Sequence, residues 1–133
     1  MRKTVYIAGP ISKGDLLANI NQATAAFIAL AKAGFAPLCP HWSVYSKGAI
    51  GYYDHCFETH KVYCYATAMG NEEMIHDDWM GVGLPWVAKA DAVLRLPGES
   101  TGADLEVSCA RDHGIPVFLT AEALVAHFQR AAA

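Results

Sequence analysis

The stretch DAVLRLPGESTGADLEVSCARDHGIPVF, Asp91 to Phe118, reads as strand, helix and strand in immediate succession. Asp91 to Leu96 is a short apolar run, and Pro97-Gly98 stops it. Ser100 or Thr101 can cap a helix that ends at Gly114, and IPVFL follows as the next strand. Two strands joined by a helix on the return path must lie parallel in one sheet. One residue disturbs this reading. Glu106 stands about two turns into the helix, beyond the first turn where an N-terminus favours an acid.

The same alternation continues outward in both directions. TVYIAG, Thr4 to Gly9, is a buried strand ended by Gly-Pro. A helix follows, with Ser12 as its cap, Asp15 three residues on, apolar positions from Leu16 to Ala31 and Gly34 as its stop. FAPLCP is a second strand between prolines, and TAEALVAHFQRA is a last helix capped by Thr120. The aromatic segment from His41 reads as a loop entering a helix over Asp54 to Met69. The segment NEEMIHDDWMGVGLPWVAKA reads as a helix broken or kinked near Gly81 to Pro85. The expectation is one α/β domain over residues 1–133, three-layered and flavodoxin-like or Rossmann-like, with a mostly parallel sheet of four or five strands.

Composition narrows the function classes. With 133 residues, 53% of them hydrophobic, the chain is long enough for a packed core. A net charge of -3 without a basic run argues against a polymeric nucleic-acid partner. No apolar stretch approaches a membrane span, and the N-terminal run is too short for a signal core, so a cytoplasmic protein with no membrane partner is expected. The four cysteines form no CxxC pair and read as free thiols. Cys56 and His60 would stand one helical turn apart, but two ligands fall short of a metal site, and none is expected.

In a parallel α/β sheet, ligands bind beyond the carboxyl ends of the strands. The loops there are GPISKG, CPHWS and PGESTG. Gly9, Pro10 and Ile11 could bring backbone close to a ligand or form a plain turn; the spacing matches neither dinucleotide nor P-loop patterns. Ser100 and Gly102 open a helix whose free N–H groups suit an anion, or simply cap it. Glu106 should lean over Gly102 and Ala103, toward the cleft, unless it is a solvated surface acid. Tyr6, in the first strand, needs a partner for its hydroxyl, and a carboxylate in the cleft would serve. His41 and Trp42 could meet a base or cover the sheet, while Asp77 and Asp78 are either helix surface or part of the site.

VYIAGP, Asn19 within ANINQATAAF, FAPLCP, an aspartate ahead of WVAKADAVL, then STGADLE and GIPVF resemble the nucleoside 2-deoxyribosyltransferase superfamily. The likeness is greatest to its small branch of deoxynucleoside 5'-monophosphate N-glycosidases, and it spans most of the chain except roughly His41 to Gly70. That resemblance implies Glu106 as nucleophile at the anomeric carbon, Tyr6 hydrogen-bonded to it, and Asp78, or else Asp77, as the acid facing the leaving base. It places Asn19 among the substrate-binding residues and puts Ser100 where the transferases often carry an acid, which favours a 5'-phosphate. It implies no cofactor, a small-molecule nucleotide or nucleoside as partner, and a homodimer or homotetramer with a shared active site. The reaction expected is hydrolysis of the N-glycosidic bond; base exchange by a deoxyribosyltransferase and a non-catalytic nucleotide-binding module are the alternatives.

Overall fold

A computed structural model describes residues 1–42, 52–56, 61–65 and 76–132, the segments 52–56 and 61–65 through their backbone. The chain runs β1 (Thr4–Ala8), α1 (Leu16–Lys32), β2 (Ala36–Leu38), β3 (Tyr52–Cys56), β4 (Lys61–Tyr65), α2 (His76–Lys89), β5 (Ala92–Arg95), α3 (Thr101–Asp112), β6 (Val117–Phe118) and α4 (Ala121–Ala132). Strands β2, β1, β5 and β6 form one four-stranded sheet in that order, parallel at each pairing. Tyr6 stands in register with Leu38 on one side and Val93 on the other. The chain leaves β1 for β2 in one direction and reaches β5 in the other, so the switch point lies between β1 and β5.

Side-chain alternation along β1 separates two apolar layers. Val5 and Ile7 pack with Ala23 and Leu30 of α1 and Leu124 of α4. Tyr6 and Ala8 turn the other way, onto Val87 and Ala90 beside α2 and Ala103 and Ala110 of α3. The sheet is therefore sandwiched between helices, which is the three-layer arrangement the sequence implies. Ile7, Leu30, Leu94 and Leu124 lose nearly all contact with water, each contributing about 1.5–3 kcal/mol by burial.

The helix ends follow their local chemistry. Asp15, not Ser12, caps α1: its side chain accepts the Ala18 N–H at 3.1 Å. Gly14, at φ 84, keeps Ser12 outside the helix. Ser100 accepts from Ala103 N and Thr120 from Ala123 N, both at 3.1 Å, as caps should.

Two expectations fail. The segment expected to be a helix over Asp54 to Met69 contains instead the antiparallel strands β3 and β4, registered from Tyr52↔Tyr65 to Cys56↔Lys61. Runs such as YYDHC and KVYCY, rich in aromatic and small apolar residues, favour extended backbone over helix. Cys56 thus ends a strand, which removes the helical spacing behind the Cys56–His60 pairing; His60 lies outside the described residues. The second failure is the break, one of the two readings of Gly81 to Pro85: α2 runs unbroken from His76 to Lys89 with Pro85 inside it. Burial of Val87 and Ala90 against the sheet holds its second half in place despite the lost hydrogen bond to Gly81. Among the described residues no helix is long and apolar enough to cross a membrane.

Candidate active site

Among the described residues Glu106 is one of two buried polar residues, only 6% exposed, and it projects from α3 toward the layer shared with β1 and α2. Its environment answers why a carboxylate sits so far into the helix. A methyl group built on Gly83 of α2 would lie 2.8 Å from the Tyr6 hydroxyl and 3.6 Å from Glu106 Oε2. Three elements therefore converge on one point, and only the absent side chain of Gly83 leaves room there. Tyr6 is 3% exposed and lies on the face of β1 that α2 and α3 cover.

Burial sets the electrostatics of this pair. Desolvation pushes the Glu106 pKa up from 4.5 to about 7, while the Tyr6 hydroxyl and, more weakly, the charge of Arg95 hold it back. Desolvation first, then the neighbouring carboxylate, drives the Tyr6 phenol far above its ordinary value, so it stays a neutral donor. The phenol faces the carboxyl group without closing a full hydrogen bond to Oε2, which has no partner meeting hydrogen-bond geometry. A buried oxygen with no partner is costly.

The two loops that flank the switch point are tied to each other. Pro10 Cγ stands 2.8 Å from where a Gly98 side chain would begin, and Gly98 adopts φ +114. Lys13 Nζ reaches Glu99 Oε2 at 3.0 Å, an exposed pair. Arg95 shapes the second loop from within. Its guanidinium donates to the carbonyls of Leu96 and Gly98 and meets Asp104 Oδ1 at 3.0 Å. Asn19 shapes the first, donating to the carbonyls of Ile11 at 2.9 Å and Lys13 at 2.8 Å. Asn19 thus holds the loop that carries Pro10 and Ile11.

The remaining residues singled out in the sequence are spread around this centre. Ser100 spends its acceptor on the α3 cap, leaving its O–H to donate, and Gly102 stands in the first turn beside it. A side chain on Gly9 would meet Leu96 Cβ at 2.9 Å, with His41 Nε2 3.5 Å away, so Gly9 faces the α1 layer and not Glu106. His41 is 1% exposed and neither ring nitrogen has a hydrogen-bond partner. Burial lowers its pKa from 6.5 to about 4, with the nearby Pro10 carbonyl offsetting part of the effect. Trp42 lies on α1, its indole N–H donating to Thr24 at 3.0 Å and its ring 4.5 Å from Phe27. Asp77 and Asp78 are exposed in the first turn of α2. At 100° per residue, Asp78 lies about 140° round the helix from Gly83.

Sequence reasoning singled out Tyr6 and Glu106 and missed Gly83 and the bracing by Arg95. The signal for Gly83 was present. It shares a helical face with Val87, four residues on, whereas Gly81 does not.

Fold and site together define a parallel α/β domain with a buried, partly unsatisfied carboxyl–phenol pair beside its switch point. Comparison with protein-family models, characterised proteins and solved structures finds no match to the chain.

Proposed function

We propose that the protein hydrolyses the N-glycosidic bond of a (deoxy)nucleoside 5'-monophosphate, releasing free base and sugar phosphate. The observation that carries this reading is the buried Glu106 with its unpartnered Oε2 facing Tyr6 across Gly83. Breaking the bond between C1' and the base nitrogen builds positive charge on the sugar. A desolvated carboxylate at that carbon stabilises the charge and can capture it.

In the proposed reaction an ionised Glu106 oxygen bonds to C1' as the C1'–N bond breaks. The bonding pair leaves with the base nitrogen, which takes a proton. Water then attacks the glycosyl ester, restoring the carboxylate and giving the free sugar phosphate. Tyr6, neutral and beside the carboxylate, favours its ionised form without competing for the carbon. Resemblance assigns the proton donor to Asp78 or Asp77, both exposed in the first turn of α2, with solvent water as the other source of the proton.

Support for a 5'-phosphate comes from the start of α3. Ser100 keeps a hydroxyl hydrogen, and the first-turn N–H groups carry the positive end of the helix dipole. The experiment is incubation with the individual deoxynucleoside and ribonucleoside monophosphates, following free base by chromatography. Wild type releases base without a second base present, and Glu106→Gln releases about a thousandfold less. Turnover that requires an added acceptor base would point to a transferase. Monophosphate binding without any release would point to a binding module.

A further inference from the structure

The charged pair at the mouth of the site takes no part in the reaction as written. Lys13, from the loop after β1, meets Glu99, from the loop after β5, at 3.0 Å, with both side chains exposed. The pair bridges the switch point one residue before Ser100, the cap of α3. Lys13 does not stand there on a loose loop. Asn19 of α1 donates to its carbonyl at 2.8 Å and to that of Ile11 at 2.9 Å. Pro10, in the same loop, packs against Gly98 across the crevice. The backbone of Lys13 is therefore fixed beside the β5–α3 loop, with its ammonium in reach of the α3 cap. Arg95, the other cation near the crevice, is fully engaged. Its guanidinium donates to the carbonyls of Leu96 and Gly98 and pairs with Asp104. GPISKG and PGES hold no cation besides Lys13, and His41 of the third loop is buried and uncharged near neutrality.

Resting on the proposed reaction, we infer that Lys13 is the residue that tells a 5'-phosphate from a free 5'-hydroxyl, with Glu99 occupying its ammonium until substrate arrives. Six residues at about 1.5 Å each set the Ser100 cap about 9 Å from Glu106 along α3. The Glu106 side chain leans back toward that end, which shortens the gap. A pentose phosphate with C1' at the unpartnered Glu106 oxygen spans the remainder, its 5' end at Ser100 and Lys13. A carboxylate oxygen at 3.0 Å from an ammonium marks a place where an anionic oxygen is well received. Phosphate carries more charge than Glu99 and presents more acceptor oxygens, so it displaces an exposed carboxylate whose pairing in open solvent is weak. The hydroxyl hydrogen of Ser100 adds a donor at the same end. A free 5'-hydroxyl has no charge to offer and leaves Lys13 on Glu99. The negative charge of Glu99 also opposes the phosphate, so Lys13 and Glu99 act on its binding with opposite signs.

The test is calorimetric titration of the full chain carrying Glu106→Gln, so that ligands bind without being consumed, with deoxynucleoside 5'-monophosphates and the matching deoxynucleosides. Adding Lys13→Met is expected to weaken the monophosphates about tenfold or more and the nucleosides less than about twofold. Lys13→Arg should keep monophosphate affinity within about threefold. Glu99→Gln should tighten the monophosphates about threefold, since it frees the ammonium and removes a repelling charge. A mere brace between the loops would behave otherwise, with Lys13→Met and Glu99→Gln weakening both ligand series alike. That pattern would overturn the assignment of Lys13, as would unchanged monophosphate affinity in Lys13→Met or no monophosphate binding at all. The reaction is judged separately. Base release by the wild type with full monophosphate affinity in Lys13→Met would sink the role of Lys13 alone. The expected affinities without base release by the wild type would sink the reaction alone.

Discussion

Replacing Gly83 by alanine would set a methyl group 2.8 Å from the Tyr6 hydroxyl, closer than real side chains approach. Either α2 retreats or the phenol leaves the carboxylate. The expected outcome is a loss of at least about tenfold in kcat with a lower Tm, read by base release and thermal unfolding. Glu106 itself yields a prediction with a sign. Its pKa is raised, from 4.5 to about 7, so the native state holds a proton that the unfolded state has lost between those values. Stability from this group is therefore highest below pH 4.5 and declines as pH rises to about 7. Glu106→Gln should stabilise the fold at pH 8 by on the order of 1–2 kcal/mol, since the amide still lacks partners, and the gain should vanish near pH 5. Nucleophilic attack needs the ionised form, so kcat/KM of the wild type should climb through about pH 7. Asp78→Asn, by contrast, should cost less than about tenfold in kcat if water, and not this residue, supplies the proton.

At the scale of elements, β1 and β5 are joined at their start as well as their end. Asp91 accepts the Thr4 N–H at 2.8 Å and the Thr4 hydroxyl at 3.1 Å, with Lys3 at 3.6 Å. The backbone contact to Thr4 chiefly, helped by the hydroxyl and Lys3, lowers the Asp91 pKa. This contribution is present above the unfolded pKa of 3.8 and is lost as pH falls through the lower folded value. Because the group is partly exposed, Asp91→Ala should cost only about 1 kcal/mol by chemical denaturation. Elements with a strong period and clear stops were readable in the sequence: β1, α1, β5, α3 and α4 all stand where apolar spacing, Gly and capping residues put them. The cap of α1 moved from Ser12 to Asp15 because Gly14 turns the chain between them. The antiparallel strands were misread as a helix because no turn dipeptide between YYDHC and KVYCY announces a reversal. The break read as one alternative for α2 is absent because tertiary burial of Val87 outweighs a proline's local cost, and burial is invisible to local pattern. Of the site, Tyr6 and Glu106 were legible as polar groups on apolar faces. The spacing of Gly83 to Val87 gave its place on the buried face, but not its role, which exists only where three elements meet.

For the whole molecule, two buried titratable groups pull stability in opposite directions. Neutral His41 is favoured by folding, its pKa falling from 6.5 to about 4, so its contribution weakens as pH drops across that window. Glu106 changes the other way between 4.5 and about 7. Each group alone would give a slope of about 1.4 kcal/mol per pH unit where only one state is protonated. In wild type the two should nearly cancel between about pH 4.5 and 6.5. Glu106→Gln should reveal a stability that rises with pH there, and His41→Asn one that falls, both measurable by urea unfolding in buffers of matched ionic strength. The cancellation would leave a fold tolerant of mild acid while keeping a carboxyl group poised near neutrality. What that carboxyl group does is tested most directly by intact and peptide mass spectrometry of the protein quenched in acid during turnover of a deoxynucleoside monophosphate. The account predicts a sugar-phosphate adduct on the peptide containing Glu106, absent in Glu106→Gln. Base release without any adduct, persisting at the wild-type rate in Glu106→Gln, would contradict it.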